Sequence, residues 1–211
     1  MNREFKRRFA VGCLVAAGWT AGGPVHAQAP RLRVHVYNYA EVGRRDMAWA
    51  IEATSSVFSK AGIQLAWLDC PLGSGDREKL GACSQLDGTP SVQLNILPKK
   101  MAKRFRHRTG EYGVAYGSNA LVYHHLVQEL AREQRLPESL ILGSIMAHEL
   151  GHALLGPGSH SPAGVMKAGL NPADFQLAHR GMLAFSSEQA ARIQVGLRQL
   201  LVPTSSAPPE G

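Results

Sequence analysis

The sequence predicts an α/β (α+β) fold: a twisted mixed sheet packed on one helix and on a second, buried helix, with a small helical subdomain at the C-terminal end. Three observations carry this. The chain opens with strand, helix, strand and strand patterns, which is how a helix laid against a mixed sheet begins. Two further short strand patterns, Glu111–Gly117 and Asn119–His125, follow just past the middle of the chain. The segment Glu138–Ala147 is apolar on nearly all sides, as expected of a helix enclosed by other elements.

The elements follow in order. Arg31–Tyr39 alternates, with Leu32, Val34, Val36 and the stem of Asn38 on one face, and reads as a strand. Asp46 is a plausible N-cap for a helix in which Met47, Ala50, Ile51, Thr54, Phe58 and Ala61 recur at helical spacing, left at Gly62. Ile63–Leu68 is a second strand, and Ser91–Leu97, stopped by Pro98, a third. Between them runs a loop rich in Gly, Ser and Asp, bounded by Cys70 and Cys83. Glu111–Gly117 and Asn119–His125 read as two short strands around a Gly-Ser turn, and Leu126–Arg135 as a short amphipathic helix. Pro137 suits the first position of the apolar helix. Asn171–Asp174 reads as a turn. Ser186 with Gln189 forms a capping box for a last helix through about Leu201, carrying Ala190, Ile193, Val195 and Leu197.

Residues 1–27 have the pattern of a secretory signal. Arg3, Lys6, Arg7 and Arg8 precede the apolar run Phe9–Trp19, and Val25-His26-Ala27 is a small-residue cleavage site. The run is shorter than the ~18–20 residues a membrane anchor needs. The expectation is an exported protein, periplasmic or extracellular, with a single folded domain over 28–202 and a polar, Pro-rich, disordered tail over 203–211. Removing the signal's four basic residues and one acidic residue from the chain's 23 and 16 leaves a net charge near +4. That is too small to imply a nucleic-acid partner, and no other long apolar stretch exists to cross a membrane. Cys13 leaves with the signal, so Cys70 and Cys83 remain as an even pair in an oxidising compartment. A disulfide is favoured over zinc ligation by these thiolates, which would need two further ligands nearby.

The chemistry is concentrated in His148-Glu149-Leu-Gly-His152. On a helix, residues four apart share a face with Cβ atoms about 5–6 Å apart, so two imidazoles can converge on one ion. Glu149 turns partly away from the ion, where a base taking a proton from bound water belongs. A buried helix with two His and one Glu must satisfy these groups, and a metal satisfies all three. A catalytic zinc usually has three protein ligands plus water. His160 is the preferred third ligand, reached through Gly156-Pro157-Gly158, which should end the helix near Leu155 and turn the chain back. Asp174, His179 and Glu188 compete for that role. Gly151 inside the motif costs ~1 kcal/mol of helix propensity relative to Ala, which suggests the close approach of another segment.

The run Ala-His-Glu-Leu-Gly-His-Ala-Leu, followed by Gly, His and Met, resembles the metzincin clan of zinc peptidases, and the matrixins most. Their pattern is HExxHxxGxxH with a Met-turn; here Gly156 falls one residue later and His160 two. The resemblance implies a metzincin-like fold, one catalytic Zn²⁺ on His148, His152 and His160, Glu149 as general base, and Met166 as the Met-turn residue beneath the metal. It also implies that the edge strand Gly113, Val114, Ala115 and Tyr116 pairs with a peptide or protein substrate. Tyr112, Tyr116, His124 and His125 read individually as packing or surface residues, one of which could steady an oxyanion.

The densest basic run, residues 99–108, is a solvated loop on the plainer reading and a contact for an anionic surface on the functional one. The expected protein is a monomeric, secreted zinc metallopeptidase. Two rivals stand beside it: an exported zinc-binding or surface-binding protein without activity, and an HExxH peptidase with an acidic third ligand.

Overall fold

The computed structural model describes residues 29–73, 76–84, 87–105 and 111–201. The expected signal over 1–27, the expected tail over 203–211 and the 106–108 part of the basic run lie outside the described residues.

Alternating apolar residues build the sheet. Strands β1 (Arg31–Asn38), β2 (Gln64–Asp69), β3 (Ser91–Leu97) and β5 (Asn119–Tyr123) are parallel, and β4 (Gly113–Tyr116) is antiparallel to β5, in the order β2-β1-β3-β5-β4. The β4–β5 hairpin turns on Gly117 and Ser118, with Gly117 at φ 55°, a backbone region that glycine enters without steric cost. Leu32, Val34, Val36, Val92, Leu94, Ile96, Ala120 and Val122 supply one buried face. Against it pack α1 (Arg44–Lys60) and α5 (Glu138–Leu155). A smaller cluster around Leu97, Ala102, Leu121 and Tyr123 includes contributions from α3 (Lys99–Ala102) and from Leu126 on α4 (His124–Gln134).

Helix α5 crosses α1 closely because Gly143 has no side chain: a Cβ there would lie 2.8 Å from both the Ala50 carbonyl oxygen and the Ala53 Cβ. The Thr54 hydroxyl sits 2.8 Å from the Ala50 carbonyl and 3.0 Å from that of Gly143, joining the two helices at the crossing. No described helix is long and apolar enough to cross a membrane.

Six local expectations differ. Helix α1 begins at Arg44 after Gly43, so Asp46 lies in its first turn instead of capping it. The first part of the basic run read as a loop, Lys99–Ala102, is helical as α3. The Cys-bounded segment contains a helix, α2 (Arg77–Ser84), with no buried residue and hence no apolar periodicity to reveal it. His124 and His125 begin α4 instead of ending a strand. Asn171–Asp174 is the start of α6 (Pro172–His179): the Asn171 side chain accepts from the Ala173 and Asp174 amides, and Asp174 accepts from the Asn171 amide. The same Asn-Pro-x-Asp chemistry serves turns and N-termini alike. Helix α7 (Ser187–Leu201) has the expected Ser186–Gln189 capping box, but Val195 faces solvent while Ile193 and Leu197 are buried. Cys70 and Cys83 form a disulfide with Cα atoms 5.9 Å apart.

Candidate metal centre and its cleft

Helical spacing on α5 brings His148 and His152 together, their Nε2 atoms 3.0 Å apart. Beyond Leu155 the chain turns through Gly156 (φ 84°) and Gly158 (φ 72°), conformations other residues rarely adopt. The turn returns His160 so that its Nε2 lies 3.0 Å from that of His152. The two extra residues relative to the HExxHxxGxxH spacing are absorbed by this loop.

Hydrogen bonds fix the tautomers of two of these rings. His148 Nδ1–H donates to the Val165 carbonyl at 2.7 Å, which leaves its Nε2 as a bare lone pair. The Ser159 hydroxyl donates to the Gly156 carbonyl at 2.8 Å and therefore accepts from His152 Nδ1–H at 3.0 Å, leaving that Nε2 bare as well. Two lone pairs facing each other at 3.0 Å repel unless a cation or proton lies among them. A tetrahedral zinc with bonds of ~2.0–2.1 Å sets its nitrogen ligands about 3.3 Å apart, close to the spacing found. The residues fit a metal ion of this kind; Mn²⁺ or Co²⁺ can occupy similar donors.

Burial favours the neutral form of the His148 and His152 imidazoles. His148, the most enclosed, is lowered to about 4 by desolvation, which outweighs the opposing pull of the Val165 carbonyl. His152 is also lowered, first by burial and then by His160, while the Gly156 carbonyl opposes the shift. Glu149 is 5% exposed and pushed up to about 8, chiefly by burial and further by the charge of Glu111. Its carboxyl lies against the edge strand: a Cβ on Gly113 would come 2.6 Å from Glu149 Cγ and 2.7 Å from Cδ. Glycine at 113 makes this approach possible.

The site opens into a cleft of about 260 Å³. Its floor is His148, Glu149, His152 and His160; one wall is Glu111–Ala115, and another is Lys167–Leu170. Gly113, Val114 and Ala115 thus line it, whereas Tyr116 does not and is half exposed. Strand β4 pairs only with β5 among the described residues, leaving its other edge open. Of the four aromatic and His residues weighed as oxyanion partners, Tyr112 alone lines the cleft. His124 instead binds Glu138 at 2.6 Å, at the α4–α5 junction.

Met166 is fully buried against Gly151: a Cβ on Gly151 would lie 2.4 Å from Met166 Sδ and 2.9 Å from Phe185 Cε1. This is the close approach anticipated from the glycine. The competing ligands stand apart from the three-His cluster. Asp174 Oδ2 accepts from Lys167 Nζ at 2.8 Å and from the Asn171 amide at 2.9 Å. His179 and Glu188 are exposed on α6 and α7. A second group, His35 with Cys70 and Cys83, has its sulfurs joined to each other.

Two contributors escaped the sequence reading. Glu111 is 38 residues from Glu149 and had no motif to mark it. Ser159 neighbours a candidate ligand, but serine is too common in loops for that position to stand out.

No family model matches the chain, and no curated protein matches it. Among solved structures, it is similar to archaemetzincin from Methanopyrus kandleri, with a TM-score of 0.42 and 17% identity over 82% of this chain and 98% of that one. It is also similar to a zinc-dependent peptidase from Methanocorpusculum labreanum (strain Z), with a TM-score of 0.47 and 17% identity over 77% of this chain and 99% of that one. At such similarity the weight of a functional reading falls on the side chains of the cleft itself.

Proposed function

We propose that this chain is a zinc-dependent peptidase, exported by the signal at residues 1–27 and acting as a monomer on peptide or protein substrates. His148, His152 and His160 would hold one zinc ion, with Met166 packed beneath as the Met-turn residue. The observation that carries the proposal is the pair of Nε2 lone pairs on His148 and His152, fixed in tautomer and facing each other beside a buried Glu149. Nothing in ordinary core packing calls for that arrangement.

A zinc ion bound there supplies a Lewis acid that acidifies water and polarises a carbonyl. The remaining work falls to the chain. Glu149 is the general base: its carboxylate takes a proton at Oε and returns it to the departing amine. Burial, and after it the charge of Glu111, pushes this carboxyl up to about 8; a cation held by the three imidazoles would favour its ionised form. The open edge of β4 offers backbone N–H and C=O groups to an extended chain, so Gly113, Val114 and Ala115 align a substrate beside Glu149. The wall at Lys167–Leu170 limits the cleft opposite.

The test is hydrolysis of a broad quenched-peptide library by the zinc-loaded mature chain, beside its Glu149→Gln variant. Cleavage by the first alone is the expected result. Equal cleavage by both points to a contaminant and leaves the Glu149 mechanism without support; silence from both while zinc is held tightly overturns the peptidase reading and favours a non-catalytic zinc protein.

A further inference from the structure

The geometry points to Ser159 and Gln189 as positioning residues of the metal centre, through which the C-terminal helix α7 sets how tightly the three imidazoles hold their ion. This rests on the metal-centre reading above.

The chain of contacts is continuous. His152 Nδ1–H donates to Ser159 Oγ at 3.0 Å, and that hydroxyl spends its own proton on the Gly156 carbonyl at 2.8 Å. Ser159 therefore reads the tautomer of His152 and pins the turn between the second and third candidate ligands. Its backbone carbonyl accepts from Gln189 Nε2 at 3.0 Å. Gln189 Oε1 accepts from the Ser186 amide at 3.1 Å, and the Gln189 amide donates to Ser186 Oγ at 3.2 Å. One buried side chain thus closes the α7 capping box and braces the ligand loop.

Both residues are enclosed, Ser159 at 6% and Gln189 at 5% exposure. Buried donors and acceptors of this kind keep their geometry because leaving one unpaired is costly. The loop needs such a brace. It contains two glycines at positive φ, and His160 at its end is exposed and reaches the cluster only from there. Partners that orient a metal-binding His typically change metal affinity by about 10–100-fold when removed.

Two variants separate positioning from simple stability. Ser159→Ala removes the acceptor of His152 Nδ1–H. Gln189→Glu keeps an oxygen for the Ser186 amide, since Glu is at home in a capping box, but replaces the donor to the Ser159 carbonyl with a carboxylate. Zinc affinity would be measured by competition with a chromophoric chelator, alongside the visible spectrum of the cobalt-loaded protein and the thermal midpoint of the metal-free protein.

The expected result is a loss of zinc affinity of about 10–100-fold in Ser159→Ala and about 10-fold in Gln189→Glu. The cobalt bands should be altered in both variants at temperatures well below the metal-free midpoint, which should itself fall in Gln189→Glu because its buried carboxylate faces the Ser159 carbonyl without a donor. Zinc affinity within about twofold of wild type in both variants, with unchanged cobalt spectra, would overturn the inference. Failure of the wild-type protein to bind zinc would instead overturn the metal-centre reading on which it stands.

Discussion

Replacing Gly151 with Ala puts the close packing under the metal centre to a quantitative test. In a helix interior Ala is favoured over Gly by ~1 kcal/mol, and on that account alone the variant should be more stable. The new methyl, however, would sit 2.4 Å from Met166 Sδ and 2.9 Å from Phe185 Cε1. Comfortable carbon contacts lie at ~3.5–4.0 Å, so an overlap of about 1 Å must be relieved. Met166 is fully buried and Phe185 is 8% exposed, so neither can swing into solvent. Overpacking of this kind costs ~1–3 kcal/mol, and the variant should be destabilised by up to ~2 kcal/mol after the propensity gain. Gly196 on α7 is the internal control: nothing lies within 4 Å of a Cβ built there, so Gly196→Ala should gain stability by up to ~1 kcal/mol. Denaturant unfolding of the metal-free chains measures both. A double-mutant cycle with Met166→Ala should show a coupling of at least ~0.5 kcal/mol, because the smaller side chain makes room for the methyl. If Gly151→Ala stabilised the protein as much as Gly196→Ala, the packing of Met166 beneath α5 would be wrong as described.

Three further outcomes are expected. Gly113→Ala places a methyl 2.4 Å from the Leu121 carbonyl oxygen and 2.6 Å from Glu149 Cγ. Backbone cannot yield as a flexible side chain does, so activity should fall at least ~10-fold and stability by ~1–3 kcal/mol, read from peptide hydrolysis and chemical unfolding. In the metal-free chain, Glu149 is raised from its ordinary 4.5 to about 8. Between those values the unfolded chain releases a proton that the folded chain retains, so this group makes stability fall as pH rises from about 4.5 through about 8. Glu149→Gln should flatten that part of a stability–pH profile, and an unchanged slope would show that the carboxyl is not buried as described. Replacing Cys70 and Cys83 together by Ser should cost ~2–4 kcal/mol, measured by thermal unfolding, while zinc stoichiometry stays the same.

What could be read from the sequence was whatever has a local physical signature. Helix α5 announced itself by continuous apolarity and by His148 and His152 four apart, and α7 by the reciprocal Ser186–Gln189 cap. The Gly156-Pro157-Gly158 turn predicted a reversal, and the positive φ of both glycines accomplishes it. Gly151 hinted at a close neighbour, although only the fold shows Met166 and Phe185 there. Helix α2 was missed because it buries nothing, and α6 because its first residues also spell a turn. The deeper misses were long-range. Glu111 acts on Glu149 only because β4 lies beside α5, and Gln189 reaches Ser159 across 30 residues only because α7 folds back on the loop. Neither relation leaves a periodicity or a motif in the chain.

The claim that His148, His152 and His160 hold one ion beside Glu149 can be tested most directly by anomalous diffraction at the zinc edge, on crystals of the mature chain grown with one equivalent of zinc. The account expects one peak about 2.0–2.1 Å from all three Nε2 atoms, with the Glu149 carboxyl alongside and not bound to it. A peak elsewhere, one held by Asp174 or Glu188 in place of His160, or none at that site would contradict it.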